Sequence, residues 1–231
     1  MMFLALIALV LINIPIAIAL GIVALVAMVA TSGPAVMPNL ALVLFDGATK
    51  FSLIAIPLFI LAGAIMNSSG ISRRLIAFAS ALFGFIRGGL AMVSIGTSLF
   101  FAEISGSAVA DVAALGSVLI PAMERKGYSK EFAAAVTSSS ATLAVIIPPS
   151  IPMILYAVMS GSSVVEVFVA GIIPGVVGGV LMMAVAYRFA VRHNYPVEQT
   201  FQLSRLWQTF KDASWALLLP VIILGGIFTG W

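Results

Sequence analysis

Long uncharged apolar runs alternate with short polar segments along the chain. Residues 2–30, 51–66 and 132–160 contain no charged side chain, and residues 164–191 contain only two. A helix of about 20 residues crosses a hydrocarbon core of roughly 30 Å. The pattern therefore predicts an all-α polytopic membrane protein, with the first apolar run retained as a span.

The first third of the chain predicts two spans and a shorter helix. Residues 2–30 are long enough to cross the bilayer with a tilt, and residues 51–66 predict the second span. Between them, residues 31–50 collect Gly, Pro, Asn and Asp and predict a loop. Residues 75–87 would rise only about 20 Å as a helix. They predict a helix along the membrane face, or the first half of a longer broken span.

A polar centre in residues 90–121 predicts a re-entrant hairpin. The segment from Glu103 to Ser107 reads Glu-Ile-Ser-Gly-Ser and separates two apolar arms that are each too short to cross the membrane. Asp111 follows in the second arm. A hairpin that enters and leaves on the same face accounts for the length of both arms.

A second break interrupts the helix predicted over residues 131–160. Pro148 and Pro149 remove two amide donors and clash with the preceding turn, so the helix must stop and restart. Ser150 is placed to cap the restarted half. The sequence thus predicts a discontinuous transmembrane helix after the hairpin.

The last third predicts one long span, a surface helix and the beginning of a further span. Ser163 and Glu166 form a capping-box pattern before the span over residues 164–191. Residues 198–212 are polar with apolar side chains at helical spacing, which is typical of a helix on a membrane surface. Residues 215–231 stay apolar to the end, so we expect the chain to be cut short within a span.

Composition and charge exclude several classes of protein. Hydrophobic residues make up 62% and charged residues only 8%, whereas a soluble domain is about a quarter charged. The absence of cysteine and the single histidine exclude a disulfide framework and a zinc, haem or iron–sulfur site. With a re-entrant hairpin, ten basic residues fall on one face and Lys50 on the other, which the positive-inside rule makes cytoplasmic, together with the N-terminus. The ten are Arg73, Arg74, Arg87, Arg125, Lys126, Lys130, Arg188, Arg192, Arg205 and Lys211.

The two predicted breaks indicate a binding site. Non-helical backbone at membrane depth is tolerated only where it is buried in protein or lines a wet cavity. Ends of half-helices offer carbonyls to a small cation and amides to an anion. The candidate donors for sodium are carbonyls near Ala102 to Ser105 and Ala144 to Pro149, with the hydroxyls of Ser105, Ser107 and Ser150. Asp111 is an intramembrane acid and joins the candidates.

Four strings of residues resemble the large membrane subunit of tripartite ATP-independent periplasmic (TRAP) transporters, the DctM/SiaM-like family, over its N-terminal half. They are Ser105-Gly-Ser-Ala-Val-Ala-Asp111, Ile120-Pro-Ala-Met-Glu-Arg-Lys-Gly-Tyr128, Ile147-Pro-Pro-Ser-Ile-Pro152 and Ala170-Gly-Ile-Ile-Pro-Gly175. The spacing between them fits as well. The resemblance implies one repeat of an elevator-type ion-transporter fold. It implies scaffold helices and an interfacial helix in residues 1–87, transport-domain elements in 88–160, and a connecting span, cytoplasmic surface helix and start of a second repeat in 161–231.

The resemblance also implies a function and a set of site residues. The function is sodium-coupled import of an organic acid, such as a C4-dicarboxylate or sialic acid, with Na⁺ as the coupling ion and no other cofactor. The implied partners are a small DctQ/SiaQ-like membrane subunit and a periplasmic binding protein, in a bacterial inner membrane and without nucleic acid. The backbone at Ala102, Ser105, Ala144, Ile147 and Pro149 would bind sodium. The solute cavity would be bordered by Ser105, Ser107, Asp111 and Ser150. The sequence departs from the family pattern at Glu103, where a small or apolar residue is expected, and at Ala144, where glycine is common.

Two other readings compete with this one. A sodium/dicarboxylate-type symporter of the same superfamily would work without a binding protein. An intramembrane aspartyl protease would use Glu103 and Asp111 as its carboxylate pair, but residues eight apart across a glycine-containing break are not obviously convergent. The protein is therefore expected not to be an enzyme.

Overall fold

A computed structural model describes residues 2–229, all helical or loop within that range. Only the backbone is described at nine of these positions: Val36, Met66, Asn67, Ser68, Ile104, Ser105, Pro220, Ile227 and Phe228. Twelve α-helices lie within the described range. They are α1 Met2–Leu11, α2 Ile16–Ser32, α3 Met37–Ala48, α4 Ala55–Ser68, α5 Ile71–Phe83, α6 Gly89–Ser105, α7 Ala108–Arg125, α8 Lys130–Ala141, α9 Leu143–Ile146, α10 Ile151–Ser160, α11 Val164–Arg192 and α12 Leu203–Thr229.

The chain divides into two compact units, residues 1–51 and residues 52–231. In the first unit, the single span predicted for residues 2–30 is wrong, because the run forms two helices, α1 and α2. Asn13 adopts a positive φ of 68° between them, and Pro15 stands directly before α2. The left-handed residue and the proline together end one helix and start the next.

The loop predicted for residues 31–50 is also wrong over most of its length. A 3₁₀ turn over Pro34–Val36 leads into α3, Met37–Ala48. Pro38 stands in the first turn of α3, where the missing amide donor costs nothing. The turn-forming residues therefore mark the start of a helix and not a loop.

The second unit is built around α6, which contacts α5, α7, α8, α9 and α11. Small residues let these helices approach α6 closely, because its own face carries Ala91, Ser94 and Ser98, all fully buried. Larger side chains fill the space between helices. Those buried almost completely include Leu75, Met92, Phe101, Leu115, Leu119, Met123 and Leu143.

The helix predicted over residues 75–87 is present as α5, Ile71–Phe83. Its buried face packs on α6 and α12, with the ring of Phe78 5.6 Å from Phe100 and 5.8 Å from Phe210. Gly84 to Gly88 then turn the chain, and Gly88 adopts a positive φ of 76° before α6 begins. Its placement along a membrane face stays a prediction.

A strip of glycines on α11 packs against the broken helix. A Cβ at Gly171 would meet the Ile146 carbonyl, at Gly175 it would meet Ile147, and at Gly178 it would meet Leu143. Such small residues let helix backbones approach closely in membranes. The break is thus packed directly against α11.

The C-terminal part departs from the prediction in one respect. The surface helix expected over residues 198–212 and the run expected over residues 215–231 form one continuous helix, α12. The intervening residues, Ala213 and Ser214, do not break a helix. The capping box predicted at the start of α11 is not formed. Ser163 occupies the N-cap of α11, but its side chain makes no capping hydrogen bond to a described residue.

Among the described residues, three helical segments are long and apolar enough to cross a membrane, namely Lys130–Ser160, Val164–Arg192 and Leu203–Gly226. The bent pair Met37–Ala48 and Phe51–Ile65 makes a fourth if it is counted as one span. The first of these segments contains the Pro148-Pro149 break. The prediction of an all-helical chain with several spans is therefore confirmed for the described residues.

Residues 194–199, here called the base strap, tie together the helix ends opposite the hairpin tip. The Gly88 amide donates to the Pro196 carbonyl (3.1 Å), and the amides of Glu198 and Gln199 donate to the Gly84 carbonyl (3.1 and 3.3 Å). The Gln199 side chain donates to Ser80. The strap thus closes the turn between α5 and α6.

The base strap also reaches the ends of α7 and α8. Lys126 Nζ lies 3.3 Å from Glu198 Oε2, and the Ser129 amide donates to the Tyr195 hydroxyl at 3.3 Å. The rings of Tyr128 and Tyr195 stack with centroids 4.3 Å apart. Burial raises the pKa of Tyr128 to about 12, the Leu90 backbone amide opposes this shift, and the nearby Glu198 carboxylate adds to it.

Candidate functional site

The hairpin tip and the helix break, far apart in sequence, meet in the second unit. The Ile151 amide donates to the Gly106 carbonyl at 3.4 Å. A Cβ on Gly106 would lie 2.9 Å from the Pro149 carbonyl oxygen, and Gly106 has a positive φ of 57°. Glycine is therefore required at the tip both for its backbone conformation and for this close approach. The structure brings the two predicted breaks into contact.

A helical hairpin is present where one was predicted, with longer arms than expected, and its re-entrant placement in the membrane stays a prediction. Its arms are α6 (17 residues) and α7 (18 residues), joined at Gly106 and Ser107. Ser107 is the N-cap of α7, and its Oγ accepts from the Ala110 amide at 3.4 Å. Asp111 lies one turn further along and is fully buried. Ser107 as the N-cap and the buried carboxyl of Asp111 therefore place two polar groups in the first turn of α7, next to the hairpin tip.

The break over residues 147–150 is buried along its whole length. Ile147 is extended (φ −81°, ψ 126°), and the peptide bond between Pro148 and Pro149 is cis. Ser150 occupies the N-cap of α10 as predicted, but its side chain does not cap that helix. Its hydroxyl instead donates to the Val145 carbonyl at 2.7 Å and so bridges the break.

The residues predicted to bind sodium lie on both sides of the contact between Gly106 and the helix break. Ala102 and Ala144 are fully buried, and Ile147 is 5% exposed. The Ala102 carbonyl accepts the Gly106 amide at 3.3 Å, which closes the last turn of α6. The Pro149 carbonyl faces Gly106, as described above. The side chain of Ser105 lies outside the described residues.

Glu103 and Asp111 do not line a common cavity. Glu103 is half-buried and lines a cavity of about 260 Å³ with Ile147, Pro148 and apolar residues of α6, α11 and α12. Asp111 does not line this cavity. The two carboxylates of an aspartyl protease would have to act in one cavity. The geometry therefore opposes the hypothesis of an intramembrane protease.

Hydroxyl groups that the sequence analysis did not single out join α6 to α8. Ser98 Oγ lies 2.9 Å from Ser140 Oγ, and Ser94 Oγ lies 3.4 Å from Thr137 Oγ1. All four side chains are buried. Ser98 lies four residues before Ala102, and Ser140 lies four residues before Ala144. These contacts therefore help to set the distance between the two backbone segments that carry the predicted sodium ligands. The repeat of Ser and Thr at helical spacing was the available signal.

Comparison with known families decides what kind of protein carries this site. A family model described as "Tripartite ATP-independent periplasmic transporter, DctM component" matches residues 3–231. The chain belongs to this family. The DctM family is one of transporter permeases, which confirms the resemblance read from the sequence and the expectation that the protein is not an enzyme.

Individual relatives of this DctM chain carry the same family name. The C4-dicarboxylate TRAP transporter large permease protein DctM of Vibrio cholerae is 40% identical over 231 residues, covering 100% of this chain and 51% of the relative. The isethionate TRAP transporter permease protein DctMQ of Oleidesulfovibrio alaskensis is 41% identical, covering 95% and 34%. The sialic acid TRAP transporter permease protein SiaT of Haemophilus influenzae is 41% identical, covering 78% and 29%. The chain thus spans between about a third and about half of the length of these relatives.

Proposed function

We propose that this DctM chain is part of a permease that imports an organic acid with sodium as the coupling ion and a periplasmic protein as the source of solute. The contact between Gly106 and the break at Pro149 and Ile151 is the observation that carries this proposal. Two non-helical segments held against each other within apolar helices are the usual construction of an ion and solute site in secondary transporters.

Sodium would bind where backbone oxygens converge at this contact. It is a hard cation that takes oxygen ligands, and the end of α9 presents carbonyls that no longer have partners in a helix. The backbone at Ala102, Ser105, Ala144, Ile147 and Pro149 would supply these ligands. The end of α6 is held by the hydroxyl contacts between α6 and α8. The break after α9 is held by its packing against the glycines of α11.

The organic acid would bind beside the sodium site, on the side of the tip that carries polar side chains. Ser107 lies at the hairpin tip, and Asp111 lies one turn further along α7. Ser150 is the last residue of the break, directly before α10. With Ser105, these three residues would border the solute cavity. In the elevator mechanism, residues 88–160 would move with the bound solute and ion, while residues 1–87 would belong to the scaffold.

The proposed partners follow from the family. A tripartite system implies a small DctQ-like membrane subunit and a periplasmic binding protein, and the relative from O. alaskensis carries the name DctMQ. The protein would lie in the bacterial inner membrane with its N-terminus in the cytoplasm. C4-dicarboxylates and sialic acid are the solutes named for two relatives and are the first to test.

Uptake by proteoliposomes tests the coupling ion. The permease as encoded by its gene is reconstituted with its small subunit and binding protein, and uptake of labelled succinate or N-acetylneuraminate is followed with an inward sodium gradient. We expect uptake only with sodium. Equal uptake with potassium in place of sodium would contradict the proposal, and equal uptake without the binding protein would favour the symporter alternative.

Three alanine variants test the site. We expect Asp111→Ala and Ser150→Ala to lower uptake strongly, because both side chains are fully buried at the proposed site. Glu166→Ala is the matched control, since Glu166 lies in the first turn of α11 on another part of the unit. Wild-type uptake in all three variants, at equal amounts of protein in the membrane, would reject the site assignment.

A further inference from the structure

A second polar cavity lies along the hairpin arm that descends from the tip. Its volume is about 700 Å³, and it lies open to solvent between the junction of α4 with α5 and the helix α7. The junction contributes Ser69, Ser72 and Arg73, and α7 contributes Ala110 and Ser117 among others. Ala110 stands in the first turn of α7, so the cavity begins next to Ser107.

Arg73 is the one charged side chain among the described residues that line this cavity. It makes no ion pair with a described residue, and its side chain is exposed. Its neighbour Arg74 differs, because Arg74 Nη1 donates to the Asp212 carbonyl of α12 at 3.4 Å. Arg74 thus serves helix packing, whereas the guanidinium of Arg73 remains available to a solute.

The shape and chemistry of the cavity suit a small oxyanion. A guanidinium offers a planar fork of donors that matches a carboxylate in two parallel hydrogen bonds. The wall on α7 is made of short side chains such as Ala110 and Ser117, which leave room for a solute against the helix. No acidic side chain of the described residues lines the cavity.

We propose that this cavity is a carboxylate site for the transported organic acid, with Arg73 as the residue that recognises the carboxylate. The inference rests on the proposed function, because it takes the solute to be an organic acid. It adds a positive group to a site whose residues at the tip are otherwise hydroxyls and one acid. The volume admits a dicarboxylate as well as a larger sugar acid.

Direct binding to the purified permease, as encoded by its gene, is the first measurement. The probes are succinate and N-acetylneuraminate, with succinamide as the neutral control, and the readout is the concentration that gives half of the maximal thermal stabilisation. Because Arg73→Gln would remove a hydrogen bond between charged groups, we expect it to raise this concentration by about ten- to hundredfold. Arg73→Lys keeps the charge but loses the fork, so we expect an intermediate increase.

Arg74→Gln is the matched control, because it removes the same charge from the same turn of α5 and therefore affects membrane topology equally. We expect its binding to stay within about twofold of the wild type, a change of less than half a kcal/mol. Equal binding by the Arg73→Gln and Arg74→Gln variants would overturn the proposal. So would stabilisation by phosphatidylglycerol vesicles or inorganic phosphate with none by either carboxylate, since the cavity would then bind a lipid headgroup or free phosphate.

Uptake separates this inference from the proposed function. If the wild type binds the carboxylates and Arg73→Gln does not, the site stands even where no sodium-driven uptake is found. If the wild type takes up succinate or N-acetylneuraminate and Arg73→Gln does so at the same rate and apparent affinity, the proposed function stands and the Arg73 site fails.

Discussion

Gly175 of α11 packs closely against Ile147 at the helix break, and its replacement by alanine tests how tightly that break is held. A Cβ at Gly175 would lie 2.5 Å from Ile147 Cγ1 and 3.4 Å from Ile147 Cδ1. Carbon atoms in contact prefer about 3.5–4.0 Å. Ile147 cannot move away easily, because it is β-branched, precedes a proline and donates its amide to Leu143 at 2.8 Å.

The expected loss of stability follows from two opposing effects. Forcing an extra methyl into a packed contact costs about 1–3 kcal/mol. Alanine in a helix interior is about 1 kcal/mol better than glycine. Gly175→Ala should therefore lower the free energy of unfolding by about 0–2 kcal/mol. In the matched control Gly178→Ala, the new Cβ would meet only the flexible end of Leu143, at 3.3 Å, so the gain of about 1 kcal/mol is kept.

Denaturation of the two variants in detergent micelles measures this difference, which we expect to be about 1–3 kcal/mol in favour of Gly178→Ala. Because Ile147 is a proposed sodium ligand, Gly175→Ala should also raise the sodium concentration needed for half-maximal uptake. If Gly175→Ala is as stable as Gly178→Ala and its sodium dependence is that of the wild type, the break is softer than the packing indicates.

Two further predictions concern buried polar groups. Ser140→Ala removes the 2.9 Å contact with Ser98 inside the helix bundle and should cost about 0.5–2 kcal/mol in chemical denaturation; the exposed Ser138, bonded to its own helix, supplies the control Ser138→Ala, and equal effects would contradict the reasoning. An unfolded tyrosine ionises near pH 10, whereas Tyr128 keeps its proton to a pKa of about 12. The stability that Tyr128 contributes is therefore present below pH 10 and lost as pH rises from about 10 to 12. Tyr128→Phe should flatten the fall in melting temperature over that range, and an unchanged slope would show that Tyr128 is not buried.

The sequence predicted the two breaks well, because each depends on residues with strong local effects. Gly106 supplies a left-handed conformation, and Pro148 with Pro149 stops a helix wherever it occurs. That the two breaks meet depends on packing between helices, which the resemblance implied and the contact between Gly106 and Ile151 confirms.

The remaining helices were harder to predict where polarity changed along one helix. Residues 198–212 and 215–231 were separated because one is polar and the other apolar, yet α12 runs through both. A helix that leaves a polar surface needs no break in its backbone. The Arg73 cavity could not be predicted for another reason: Arg73 and Ser117 are far apart in sequence, and only the packing of both α5 and α7 on α6 brings them to one space.

The base strap has a mechanical consequence for the hairpin. It fastens the turn before α6 at Gly84 and Gly88, and it reaches the far ends of α7 and α8 through Lys126 and Ser129. The two arms, already joined at the tip by Gly106 and Ser107, are therefore also linked to each other at their opposite ends. Because the strap follows α11 directly, it links the C-terminal end of that helix to both arms, so a movement of the tip away from the break would involve the two arms together.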